Sequence, residues 1–196
     1  MILTTQMLID RFRNYGDPAG KIRRMVSAGE IIPVTRGIYE TDGSLPGQLL
    51  APVIYGPSYL SFEFALSHYG LIPEAVRAFT SATFGKRKIK SYENAFGRFT
   101  YRDVPAEVYP LCVEQVQEGG YAYFIASPEK ALCDKLWSLS PVHSMRDFRD
   151  MLFLDLRIDR DAIDRLDGDM IAGLSARYRG SNVKYLARLL GGKANE

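Results

Sequence analysis

The stretch KIRRMVSAGEIIPVTRGIY, from Lys21 to Tyr39, decides how this chain is read. Ile22, Met25 and Val26 recur at spacings of three and four, which is the period of one apolar helix face. Lys21, Arg23 and Arg24 fall off that stripe, open to a charged partner. Gly29, in Ala28-Gly29-Glu30, ends the helix, because glycine accepts the left-handed backbone that a helix C-terminus often needs. Ile31, Ile32 and Val34 then form an extended run, and Arg36-Gly37 turns the chain toward Ile38 and Tyr39. A basic helix feeding a small hairpin with arginine at its tip is the plan of a winged helix-turn-helix. In that plan the helix enters the DNA major groove and the wing touches the backbone. The plainer alternative is a helix–hairpin unit that only packs on a larger domain.

Working outward, residues 4–13 read as a helix capped by Thr4 or Thr5, with Met7, Leu8 and Phe12 on one face. Asn14 to Asp17 is turn chemistry, and Asp17-Pro18 restarts a helix with a capping acid and a proline at its first position. The polar run Thr41-Asp42-Gly43-Ser44 divides a module of residues 1–40 from a larger domain of residues 45–196. In that domain we expect a short helix over 45–55 and a stronger one from Ser58 to Tyr69, stopped by Gly70. Alternation predicts strands over 78–83, 96–101 and 120–125. A basic hairpin or loop carrying Lys86, Arg87, Lys88 and Lys90 lies between the first two. Ser127-Pro128-Glu129 opens a helix whose Trp137 is expected to anchor it on the sheet. Helices over about 144–154, 159–166, 168–178 and 180–191 complete the chain. The fold class is therefore α+β: an N-terminal winged helix-turn-helix followed by a mixed domain with a helical C-terminal tail. The order is not the alternating βαβ of a dinucleotide fold.

With 196 residues and 46% apolar content, the chain can bury a sizeable core. The net charge of +2 announces no overall basic field, so nucleic-acid contact must come from local clusters. Cys112 and Cys133 have no metal spacing and read as free thiols of a cytoplasmic protein, and His68 and His143 stand alone. No apolar run approaches a membrane span, and MILTTQMLIDRFR lacks a signal-peptide core. The pairs Asp159/Asp161 and Asp167/Asp169 have the spacing that nucleotidyltransferases use for magnesium, but Gly43-Ser44 lies far upstream and Gly180-Ser181 follows them, so the order fails. Helix capping explains them better. Glu63 and Glu129 open predicted helices, where the helix dipole favours a carboxylate. We therefore expect no enzyme, no cofactor and no metal.

Four runs in order carry a resemblance: RRMVSAGEIIPVTRGIY, YLSFEFALSHYGLIPE, FGRFTYRDVP and YFIASPEKALCDKLW. Together they resemble the AbiEi family, the antitoxins and transcriptional regulators of type IV toxin–antitoxin systems. The resemblance implies a winged helix that binds double-stranded operator DNA and represses its own operon. It further implies a larger domain that neutralises a nucleotidyltransferase-like toxin, as in abortive infection. On this match Lys21, Arg23 and Arg24 fall on the recognition helix, and Arg36, Gly37 and Tyr39 on the wing. Lys86, Arg87, Lys88 and Lys90 form a second basic patch, suited to phosphate or an acidic partner face, or else a solvated hairpin tip. The family's module usually has a further helix before the segment matching Thr4–Phe12, and this chain begins too late for it. The alternative reading is thus a toxin-binding or other interaction scaffold whose trimmed winged helix does not contact DNA.

Overall fold

Short polar side chains set the first elements. Strand β1 (Ile2–Thr4) runs into helix α1 (Thr5–Arg11), whose first turn is capped by the Thr4 hydroxyl, accepting from the Met7 N–H at 3.2 Å. Helix α2 (Pro18–Ser27) begins as its sequence demands: Pro18 stands in the first turn, and Asp17 Oδ1 accepts from the Gly20 N–H at 2.8 Å. Strands β2 (Ile32–Thr35) and β3 (Ile38–Glu40) fold back on each other, and β3 is the middle strand of a three-stranded antiparallel sheet of order β1-β3-β2. Leu3, Leu8, Ile22 and Ile31 form a small separate core, with Phe12, Met25, Val26 and Tyr39 half-buried around it. Met7 departs from the expected apolar face of α1 and is half exposed, because it sits a full step around the helix from Leu8. The computed structural model describes residues 1–191; residues 192–196, the end of the expected second domain, lie outside the described residues.

The larger region is built on a six-stranded mixed sheet of order β6-β7-β5-β4-β9-β8. Its strands are β4 (Tyr59–Leu60), β5 (Ala78–Thr83), β6 (Lys90–Asn94), β7 (Gly97–Asp103), β8 (Val113–Glu118) and β9 (Tyr121–Ala126). β4 is parallel to β9 and β5 to β7, and the other pairings are antiparallel. A 3-10 turn over Gly47–Leu50 followed by α3 (Ala51–Ile54) covers one face, where the Tyr101 hydroxyl donates to the Ala51 carbonyl at 2.7 Å. Helices α4 (Phe62–His68) and α5 (Pro128–Trp137) take the other face; the Phe64 N–H at the start of α4 donates to Thr80 Oγ1 on β5 at 2.9 Å. α6 (Met145–Asp150), a π-helical segment (Met151–Asp155), α7 (Arg160–Asp164), α8 (Gly168–Tyr178) and α9 (Ser181–Gly191) complete a mixed α+β architecture. Among the described residues no helix is long and apolar enough to cross a membrane.

One expectation is corrected here. The predicted helix from Ser58 to Tyr69 is a strand at Tyr59–Leu60 and a helix only from Phe62, because Leu60 pairs with both Ser81 and Ile125. Those two ladders override the local helical period. Trp137 is half-buried against the large core, and its ring also stands beside Gly180, where an added Cβ would meet Trp137 Cδ1 at 3.3 Å, at the turn from α8 to α9.

Glu63, at the first turn of α4, ties that helix to α5 and β7. Its Oε1 accepts from Lys135 Nζ at 2.6 Å, and Arg102 lies 3.7 Å from its Oε2. Burial works against its charge, but the Lys135 hydrogen bond and charge, with Arg102 behind them, outweigh burial and hold the carboxyl below its ordinary value. A depressed carboxyl contributes stability that is fully present above the unfolded value of 4.5 and is lost as pH falls through the folded value. Urea unfolding at about pH 6 and about pH 3.5 should therefore show a steeper acid loss for the parent chain than for Glu63→Gln. Equal slopes would mean that this carboxylate is not a linked group.

Candidate nucleic-acid interface

Asp17, Gly20 and the apolar stripe orient α2. With Ile22 buried and Met25 and Val26 half-buried against the small core, the roughly 100° step of a helix turns Arg23 and Arg24 to the opposite side. Both are exposed; Arg23 shows 76% of its side chain and lies 3.8 Å from Asp17 Oδ2, itself exposed. A pair this open is worth under about 1 kcal/mol, so it leaves the guanidinium available to a stronger anion. Lys21 is half-buried on the flank of the same helix. Gly20 is buried in the first turn, and a Cβ there would meet Asp17 Oδ2 at 1.8 Å, so the cap and a side chain at position 20 exclude each other.

Arg36 is exposed at the turn between β2 and β3, and Gly37 takes a φ of +78° that favours glycine. The turn is tied to α1, since the Thr5 N–H donates to the Gly37 carbonyl at 2.9 Å. Tyr39 sits across from Leu3 on one side and Pro33 on the other, half-buried against the small core, so its ring is engaged in packing. Lys86, Arg87 and Lys88 occupy the β5–β6 connection of the larger region, and Lys90 opens β6. Asn94, at the other end of β6, donates to the Val34 carbonyl at 2.7 Å. At about 3.3 Å per residue Lys90 therefore lies about 13 Å along the strand from that junction. The two basic groups belong to different parts of the fold.

The hairpin is joined to the large sheet at a second point. Glu40, fully buried, accepts from the N–H groups of Thr41 at 2.8 Å and Asp42 at 3.1 Å, from the Tyr121 hydroxyl of β9 at 2.8 Å, and from the Met1 amine. Burial opposes its ionisation, but the donors at the amine, Tyr121, Asp42 and Thr41 together hold its carboxyl below the ordinary value. The linker thus begins as a hydrogen-bonded turn.

The most organised polar cluster is one the sequence reading missed. Lys130 and Asp134, one turn apart on α5, form an ion pair at 2.6 Å with both side chains 0% exposed. Asp134 Oδ1 also accepts from the Tyr178 hydroxyl of α8; its Oδ2 accepts from Tyr59 at 2.9 Å and Ser61 at 2.7 Å. Lys130 further donates to the Tyr178 oxygen, and its ammonium lies 4.9 Å from the Tyr178 ring centre and 5.3 Å from that of Tyr59. Burial first, then the Asp134 charge, pushes the hydroxyls of Tyr59 and Tyr178 well above their ordinary values, which keeps both protonated as donors. The cluster is buried and hydrogen-bonded within itself, and it joins β4, α5 and α8. The only local signal for it was the four-residue spacing of Lys130 and Asp134.

Three further acids hold helix starts. Asp159 Oδ1 caps α7, accepting from Ala162 at 2.7 Å, and Asp167 Oδ1 caps α8, accepting from Asp169 at 2.9 Å and Met170 at 3.0 Å. Glu129, buried, accepts from Ser127 Oγ at 2.9 Å and from the Asp167 N–H at 3.2 Å. Both cysteines are free, and burial raises the Cys133 thiol far above its ordinary value. Among the described residues no group of three or more His, Cys, Asp or Glu side chains could hold a metal. In comparison with known proteins, no family model matches the chain and no curated protein matches it.

Proposed function

We infer that this chain is a DNA-binding regulator of the AbiEi type, in which residues 1–40 act as a winged helix on operator DNA and the larger domain serves antitoxin activity. The observation that carries the reading is the outward pair Arg23 and Arg24 on a helix whose inner face is anchored in its own small core. The element order β1-α1-α2-β2-β3, the sheet order β1-β3-β2 and the exposed Arg36 at the hairpin turn agree with it. In such a module the helix reads base edges and the turn contacts phosphate. DNA readout needs cations for phosphates and donors for bases, and guanidinium supplies both.

The chain's net charge of +2 requires that affinity come from these few side chains. If Lys21, Arg23, Arg24 and Arg36 all touch phosphate, log K for operator DNA should fall against log salt with a slope of about −3 to −4 per protomer. The test is fluorescence anisotropy on the DNA upstream of the chain's own gene, over a series of salt concentrations, against an unrelated duplex. Selective binding with that slope is the expected result. Equal affinity for both duplexes, or no salt dependence, would leave the reading without support.

A further inference from the structure

At the end of the shortest strand the large sheet opens. β4 contributes only Tyr59 and Leu60, and beyond Tyr59 the chain leaves the sheet through Ser58 and Pro57. The gap is a pocket of about 390 Å³ whose walls include Pro57, Tyr59, Tyr109, Pro110, Val113 and Phe124. That volume falls within the usual range of ligand pockets, and the walls are chiefly apolar and aromatic. Phe124 is 43% exposed, and Phe84 adds a further ring, 4.4 Å from that of Tyr109 and 37% exposed. Ser58 is buried in the wall and its hydroxyl has no hydrogen-bond partner among the described residues.

Positive charge lines one side of this opening. Three residues after Phe84, the loop takes a left-handed turn at Arg87, whose N–H donates to Asp103 Oδ2 at 2.6 Å. Lys86 Nζ reaches across to the Gly56 carbonyl at 3.1 Å, next to Pro57 of the pocket wall, and lies 5.2 Å from the Tyr55 ring centre. The basic loop is thereby clamped to the pocket's rim. The side chains of Arg87 and Lys88 are exposed and make no hydrogen bond or ion pair among the described residues, and Ile89 beside them is 80% exposed. An apolar socket beside a loop of exposed cations is complementary to an apolar group flanked by carboxylates.

We propose that this pocket and the Lys86–Lys88 loop form a docking site for an acidic segment of a partner protein, which inserts one aromatic or branched aliphatic side chain beside Tyr59, Tyr109 and Phe124. Nucleic acid fits less well. The Tyr109 ring is inclined at 49° to Tyr59 and 48° to Phe84, so the walls do not offer a parallel slot for a flat base. Glu107 and Glu114, both exposed, flank Tyr109 and Val113, so the carboxylates of such an acidic segment must lie toward the Lys86–Lys88 side of the opening. The site is independent of residues 1–40, so it stands or falls separately from the DNA reading.

The experiment is selection of a displayed random peptide library on the whole chain, followed by anisotropy of labelled individual binders. Recovered peptides should share an aromatic or branched aliphatic residue next to Asp or Glu. Phe124→Ser and the pair Arg87→Glu/Lys88→Glu alter exposed positions, and circular dichroism melts check that both variants fold. Each should weaken binding about tenfold or more, with operator affinity unchanged in Phe124→Ser. The proposal is overturned if no sequence is enriched over selection on the Phe124→Ser chain, if enriched peptides lack acids, or if binders ignore both changes. It is equally overturned if a labelled oligothymidine binds with the same dependence on Phe124 and Arg87, which would make the pocket a nucleic-acid site.

Discussion

Asp134→Ala is expected to destabilise the fold by about 3–5 kcal/mol, a large part of the ~5–15 kcal/mol that holds a typical domain together. The reason is the number of groups it orphans. Asp134 is the shared acceptor of Lys130, Tyr178, Tyr59 and Ser61, all of them buried. Without it a buried ammonium keeps only the Tyr178 oxygen and two ring faces, and the hydroxyls of Tyr59, Ser61 and Tyr178 lose their acceptor. Lys130→Met should cost less, because the carboxylate would retain its three hydroxyl donors. The double change Lys130→Met/Asp134→Leu should recover part of the loss of Asp134→Ala, since an apolar pair of similar volume often replaces a buried ion pair at little cost. Urea denaturation of the three variants measures the order directly. A loss below about 1 kcal/mol for Asp134→Ala would show that the network contributes nothing beyond ordinary packing.

The second large effect is on DNA. Under the proposed operator reading, Arg23→Ala/Arg24→Ala should weaken operator binding by about 30- to 1000-fold, since a bidentate arginine–guanine contact is worth about 1–3 kcal/mol and each phosphate contact adds to it. How the loss distributes separates the two roles of arginine. If both side chains only neutralise phosphate, affinity falls equally on all duplexes and the salt slope drops by about 2. If either reads a base, the loss is larger on the operator than on unrelated DNA. Because both side chains are exposed, folding stability should change by no more than about 0.5 kcal/mol beyond the weak Asp17–Arg23 pair. Unchanged operator affinity would remove α2 from the interface.

Where the reading of the chain succeeded, the signals were short in range. Thr4, Asp17-Pro18 and Ser127-Pro128 start helices because a side-chain oxygen and a missing N–H act within one turn. Arg36-Gly37 makes its turn because only a few residues are involved. The arginines of α2 were legible as outward for the same reason, since the position of Ile22, Met25 and Val26 dictates where the rest of that helix points. The strands β6 and β8 were missed because they lie at the sheet's edges and carry polar, weakly alternating residues, which pairing with β7 and β9 makes extended.

The amino-acid sequence by itself determined the capped helices, the hairpin at Arg36-Gly37, the α+β class and which side chains of α2 face outward, because each follows from neighbours within a turn or two. Only the tertiary structure decided that Tyr59-Leu60 is a strand, that Lys130 and Asp134 are sealed from water, and that Tyr59, Tyr109 and Phe124 meet at one pocket. A four-residue acid–base spacing on a helix reads the same whether it is solvated or buried. What covers it, here Tyr59 from one end of the fold and Tyr178 from the other, sets its desolvation, and that is a property of the packed chain.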